Sequence, residues 1–97
     1  MIPEPITQYR MTVNSEATAS FHDDGVVILN TRNGCLFSSN RAGALVWRCI
    51  EQQLPVAAIA DELSREFQIA PPAACEHTER FLAQLERHNL IARGAGL

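Results

Sequence analysis

The spacing of apolar positions changes near residue 40, from a period of two to about 3.6. Residues 17–21 alternate between apolar and small polar side chains, which predicts a half-buried strand. The segment VVILN at 26–30 is apolar on both faces, which is typical of a central strand. The shorter segment CLFSS at 35–39 follows. The first part of the chain therefore predicts three strands.

Two turn signals connect these strands. Asp23-Asp24-Gly25 is typical of a tight turn. Asn33-Gly34 predicts a two-residue type I′ turn, since Asn and Gly tolerate the positive φ that this turn requires. Two tight turns in succession predict an antiparallel meander with VVILN in the middle and CLFSS at an edge.

The rest of the chain has helical spacing in three segments. The sequence predicts a helix capped by Ser39 or Asn40, a second opened by Pro55 and a third that starts at Pro71-Pro72. The predicted inner face of the third helix carries Cys75, Thr78, Phe81, Leu82 and Leu85, and Leu90 and Ile91 close it. These elements predict an α+β, winged-helix-like fold in which a three-stranded antiparallel sheet is followed by three helices.

A chain of 97 residues is sufficient for one modest core. Residues 1–14 carry two prolines and no sustained period, so we expect a flexible or strand-forming N-terminal arm. Residues 15–93 form the predicted domain. Residues 94–97 contain two glycines, and we expect a disordered tail there.

Charge and targeting signals narrow the function. The net charge is −3, and no segment concentrates positive charge, which argues against a nucleic-acid partner. The helices carry mixed charges where a recognition helix needs outward basic and amide side chains, so a winged-helix DNA-binding regulator is only an alternative. The N-terminus lacks a signal-peptide pattern and no apolar run is long enough to span a bilayer, so we expect a cytoplasmic protein without a membrane partner.

Catalysis and metal binding are not expected. The three cysteines, Cys35, Cys49 and Cys75, are widely spaced in apolar surroundings, which predicts buried, reduced thiols. Cys75 and His77 lie two positions apart on a predicted helix and point to different sides, so the pair does not form a metal site. Because nothing local supplies a cysteine with both a base and a third group that orients it, and no phosphate-binding glycine loop is present, the sequence does not predict an enzyme.

The predicted edge strand CLFSS has neither charge nor proline, although natural proteins usually protect such edges. It is either too short to need protection or covered by the N-terminal arm. Alternatively, it receives an extended peptide by strand addition, with the third helix as the other wall of a groove. Pairing with the edge of a second copy, as in a homodimeric scaffold, is a further possibility.

The segments DDGVVILNTRNGCLFSSNRAGALVW, LPVAAIADELSREFQI and TERFLAQLERHNLIA resemble the PqqD-like family of leader-peptide-binding chaperones, the recognition elements of ribosomally made, modified peptides. The resemblance covers about residues 17–92. The matching positions are Gly25, Val27, Leu29, Gly34, Phe37, Asn40, Gly43, Ala44, Trp47, Val56, Ile59, Leu63, Phe67, Phe81, Leu82, Leu85, Leu90 and Ile91. One departure is Ser39, where the family usually has Leu.

The resemblance implies that a leader peptide adds to the third predicted strand and packs on the third helix, without a cofactor. The implied strand side is Cys35, Leu36, Phe37, Ser38 and Ser39, and the implied helix side is Cys75, Thr78, Phe81, Leu82 and Leu85, some of which must be core. It also implies a separate modifying enzyme, which is a leader protease in lasso-peptide systems and a radical SAM enzyme in coenzyme PQQ synthesis. The CLFSSNRAGALVW segment is closer to the lasso-type pattern.

Overall fold

The computed structural model describes residues 10–94. The elements, in chain order, are β1 (Arg10–Val13), β2 (Ala17–His22), β3 (Gly25–Asn30), β4 (Cys35–Ser39), α1 (Arg41–Glu51), α2 (Val56–Phe67), α3 (Pro71–Arg87) and β5 (Ile91–Gly94). Strands β2, β3 and β4 form an antiparallel sheet in that order, and β1 pairs antiparallel with β5. The predicted α+β fold, with β3 in the middle of the meander and β4 at its edge, is confirmed.

The turn between β3 and β4 differs from the predicted type I′ turn. The loop contains four residues, 31–34, because Asn30 pairs with Cys35. Only Gly34 has a positive φ, of 76°, and its N–H donates to the carbonyl of Asn30 at 2.8 Å. The Asn33 side chain instead accepts from the N–H of Cys35 at 2.9 Å. The predicted hairpin is present, but a longer loop needs the left-handed conformation only at its last residue.

The core lies between one face of the sheet and the three helices. Val26 and Ile28, two residues apart on β3, are almost fully buried beneath α1. Asn40 caps α1, and its side chain accepts from the N–H of Gly43 at 3.0 Å. Trp47 is 1% exposed and donates its indole N–H to Glu51 at 2.9 Å, so it is a packing residue.

The β1–β5 ribbon is a feature that sequence patterning did not predict as such. Ile91, expected at the close of the third helix, begins β5. The helix ends earlier because Asn89 adopts a positive φ of 59°, which turns the chain back toward β1. Pairing of Val13 with Ile91 then closes the ribbon.

The described residues cover only part of the two predicted termini. Within the expected arm 1–14, residues 10–13 form β1, and residues 1–9 lie outside the described residues. Within the expected tail, Gly94 belongs to β5, and residues 95–97 lie outside the described residues. No helix between residues 10 and 94 is long and apolar enough to cross a membrane.

Candidate functional site

The geometry of the two hairpins determines which residues of β4 direct their backbone N–H and C=O groups away from β3. The two-residue turn of the β2–β3 hairpin is closed by the pair His22–Gly25, which is a hydrogen-bonded pair in such hairpins. Hydrogen-bonded pairs alternate along an antiparallel ladder, so every second residue of β3 points its N–H at β4. The β4 residues that receive these bonds are Cys35, Phe37 and Ser39. Leu36 and Ser38 therefore direct their N–H and C=O groups away from the sheet, where no described strand pairs with them.

The side chains of β4 alternate across the strand. Phe37 pairs with the buried Ile28 and lies on the core side, where it is half-buried. Leu36 lies on the opposite face and is 67% exposed, which makes it the one large apolar side chain among the described residues that is mostly in water. Ser38 and Cys35 are also exposed. An added strand would thus meet free backbone groups with an apolar residue on each side.

Helix α3 lies beside this edge. The Phe37 ring is 5.9 Å from the Phe81 ring and 5.0 Å from the imidazole of His88, measured between centroids. His77, Phe81, Gln84 and His88 follow one another at spacings of four, three and four, so they share one stripe of α3. This stripe and β4 form the two walls of a groove, hereafter the β4–α3 groove.

The groove widens into a cavity of about 210 Å³ where β4 runs into α1. Its lining residues are Ser39, Asn40, Ala42, Gly43, Val46, Leu63, His77, Arg80, Phe81 and Gln84. Ala42, Val46 and Leu63 contribute apolar surface. The imidazole and the guanidinium come from α3, and amide groups come from Gln84 on α3 and from Asn40 at the start of α1. A space of this size and chemistry fits one side chain of a peptide.

A glycine sets how closely α1 approaches the groove. A Cβ at Gly43 would collide with the side chain of Ser39 and would lie 3.0 Å from the ring of Phe81. Only a residue without a side chain allows the end of β4, the start of α1 and Phe81 to meet at this distance. Ser39, the departure from the family pattern, therefore packs against the helix start, and its hydroxyl makes this end of the groove more polar.

The helix residues implied by the resemblance divide into three groups. Thr78, Leu82 and Leu85 are fully buried in the core, and the Thr78 hydroxyl donates to the carbonyl of Ala74 at 2.8 Å. Phe81 is half-buried and lines the groove. Cys75, predicted on the inner face, is exposed.

Sequence patterning missed the polar members of this wall, which are His77, Arg80, Gln84 and His88. The spacing of His77, Gln84 and His88 around Phe81 is the signal that could have located these three, because they continue its stripe toward both ends of α3. Arg80 immediately precedes Phe81 and lies on the same stripe as Gln84.

The prediction that all three thiols are buried is wrong. Cys49 is buried, whereas Cys35 and Cys75 are exposed, because each lies at an outer position of its element. Burial, followed by the negative charge of Glu62, raises the pKa of the Cys49 thiol above its ordinary value.

We therefore expect an aromatic disulfide reagent at mildly alkaline pH to modify Cys35 and Cys75 quickly, and Cys49 only as the protein unfolds. The measurement is the number of thiols released in the fast phase, with and without denaturant. Replacing Cys49 by alanine should leave the fast phase unchanged. A fast phase that counts one thiol or all three would contradict this arrangement.

Clustered metal-binding groups are not found among residues 10–94, where no three His, Cys, Asp or Glu side chains are placed to hold a metal ion. The geometry of the β4–α3 groove instead offers backbone hydrogen-bonding groups and apolar contacts to an extended chain.

Fold and groove together define a class: a winged-helix-like α+β domain with an open sheet edge beside an amphipathic helix. The chain belongs to the PqqD family, since residues 25–91 match the family described as coenzyme PQQ synthesis protein D (PqqD). This match confirms the resemblance inferred from the sequence. No curated protein matches the chain.

Two solved structures share the fold. One is described as TbiB1 in complex with the TbiA(beta) leader peptide, with 22% identity, a TM-score of 0.76, and coverage of 82% of this chain and 93% of that one. The other is described as lasso peptide synthetase B1 complexed with the leader peptide, with 19% identity, a TM-score of 0.77, and coverage of 86% and 98% respectively.

Proposed function

We propose that this protein is a non-catalytic chaperone that captures the leader segment of a ribosomally made precursor peptide and presents it to a separate modifying enzyme. The observation that carries the proposal is the outer side of β4, where Leu36 and Ser38 direct unpaired backbone groups along an apolar groove. Membership of the PqqD family and the leader peptides named in both related structures support it.

Binding in this mode draws on two sources of free energy. Ordering an extended peptide costs about 1–2 kcal/mol per residue in backbone entropy, so side-chain contacts must add to the backbone hydrogen bonds. Phe37 and Phe81 supply an apolar surface on the groove side, and Leu36 supplies one on the opposite face. The cavity at Gly43 receives one further side chain. We expect backbone pairing to give affinity, and these contacts to select the sequence.

The partner enzyme of this proposal acts on the captured peptide in the cytoplasm. A leader protease of the lasso-peptide type is favoured, because one structural relative is described as a lasso peptide synthetase. A radical SAM enzyme of the PQQ type comes next, because the family is described by coenzyme PQQ synthesis. In either case the chemistry belongs to the partner, and this chain supplies recognition without a cofactor.

The proposal is tested by a titration of the isotope-labelled protein with the N-terminal half of the short precursor peptide encoded nearest to its gene. We expect saturable shifts of backbone amides in β4 and along the α3 stripe, and smaller changes on α2. The same peptide with a scrambled sequence is the control.

Three results of this titration would contradict the proposal. The first is the absence of shifts at peptide concentrations well above micromolar. The second is shifts that depend on protein concentration alone, which would assign the edge to a second copy. The third is an equal response to the scrambled peptide.

A further inference from the structure

Two of the three acidic residues of α3, Glu79 and Glu86, are engaged on the side of the helix that faces β5. Arg93 on β5 donates to Glu79 at 2.9 Å and to Glu86 at 3.0 Å, and its side chain is only 17% exposed. Glu79 and Glu86 are seven residues apart, so they lie on one stripe of the helix. The single positive charge of Arg93 thus compensates part of their negative charge, on a side of α3 that does not line the cavity.

Two arginines lie on a different stripe of the same helix, and one of them belongs to the cavity lining. Arg80 lines the cavity, and Arg87 lies seven residues further along, on the same stripe, with Gln84 between them. Arg80 bonds to Glu76 at 3.1 Å, but both side chains are more than 60% exposed, so water screens this pair and a ligand can replace it at little cost. Helix α3 thus carries two paired acids toward β5, whereas the stripe that passes the cavity carries two arginines and one acid, Glu76.

We infer that the segment captured in the groove is acidic, with Asp or Glu side chains that pair with Arg80 and Arg87. This inference rests on the proposed function and specifies the chemistry of the peptide. Guanidinium groups suit carboxylates because they form two parallel hydrogen bonds to one carboxylate. A protein with a net charge of −3 would otherwise repel an acidic peptide, so the local basic stripe also steers its approach.

The spacing of the two arginines limits the spacing of the acids. Seven helical residues span about 10.5 Å along the axis at 1.5 Å per residue. An extended peptide covers the same length in about three residues. With the reach of an arginine side chain at each end, the acidic residues should lie two to four positions apart in the captured segment.

The test measures the affinity of the fluorescein-labelled leader of the nearest encoded precursor, and of the same peptide with every Asp and Glu changed to Asn and Gln. The Arg80→Gln/Arg87→Gln protein should bind the native leader about three- to thirty-fold more weakly, as two exposed charge pairs are lost. The amide-substituted leader should bind the parent protein as weakly as the native leader binds the double variant. Its affinity should change little when the parent is replaced by the double variant. Higher salt should weaken the binding of the native leader to the parent protein, and should leave the other combinations unchanged.

Arg65→Gln is the matched control, because Arg65 also forms an exposed ion pair within a helix, with Glu62 on α2, and does not line the cavity. It should leave the affinity unchanged. Thermal melting of all variants should match the parent, since the changed side chains are exposed.

Three outcomes would overturn the inference. If the native leader binds the parent and the arginine variant equally well, or carries no acidic residue, recognition uses only the backbone and apolar contacts, and the proposed function stands. If a random DNA duplex binds more tightly than the leader and loses affinity in the same variant, the stripe serves nucleic acid. If the parent binds no leader, the proposed function itself fails.

Discussion

Leu82→Ala is expected to lower the free energy of unfolding by about 3–5 kcal/mol, whereas Phe81→Ala, one residue away, should cost less than half as much. Leu82 is fully buried where α3 packs against the rest of the core. Its truncation therefore removes buried apolar surface and leaves a cavity. Phe81 is half-buried and already borders the open groove, where solvent can fill part of the space. Domains of this size are stable by about 5–15 kcal/mol, so Leu82→Ala removes a large fraction of the total.

The binding effects should have the opposite order. Phe81→Ala removes one wall of the β4–α3 groove and the partner of the Phe37 ring, so the affinity for the leader should fall at least about tenfold. Leu82→Ala, measured where the protein is still folded, should change the affinity much less. Urea unfolding and leader binding of both variants provide the measurement. If Leu82→Ala weakens binding more than Phe81→Ala, the assignment of Leu82 to the core and Phe81 to the groove is wrong.

Phe81 and Leu82 also show what sequence patterning could predict and what it could not. Alternation over β2, the apolar run of β3 and the helical stripes are local signals, and each predicted its element correctly. The cap at Asn40 was predicted as one of two candidates for the same reason. Patterning placed Phe81 and Leu82 together on one inner face, because both are apolar and adjacent. In the fold they diverge, since α3 contacts the core on one side and borders the groove on the other.

Features that depend on long-range pairing were beyond local patterning. Strands β1 and β5 have four residues each, are about 80 positions apart, and lack a sustained alternation. The polar groove residues were missed because His77, Gln84 and Arg80 are typical of any solvated helix face. Only the position of β4 gives them a role. The edge position of β4, by contrast, followed from two successive hairpins and needed no tertiary information.

Ser38→Pro is expected to abolish leader capture while the protein stays folded. Ser38 is exposed, and its N–H points away from β3, so the substitution removes no ladder hydrogen bond. The proline ring would occupy the position of the outward N–H, where an added strand must place its carbonyl. One donor is lost and the approach of the peptide backbone is blocked. We expect no saturable binding in the concentration range that titrates the parent, and a melting temperature within a few degrees of it.

A control for the backbone change lies at the other edge of the same sheet, at a residue whose side chain packs partly against the core. Ala19 on β2 pairs with Ile28 at a position where the ladder alternation directs its N–H away from β3, as for Ser38. Residues of β2 do not line the β4–α3 groove as defined above. The Ala19→Pro protein should therefore bind the leader with the same affinity as the parent. If Ser38→Pro also binds like the parent, strand addition at β4 is wrong. If both variants lose binding to the same extent, the loss reflects damage to the sheet, and the specific role of the β4 edge is contradicted.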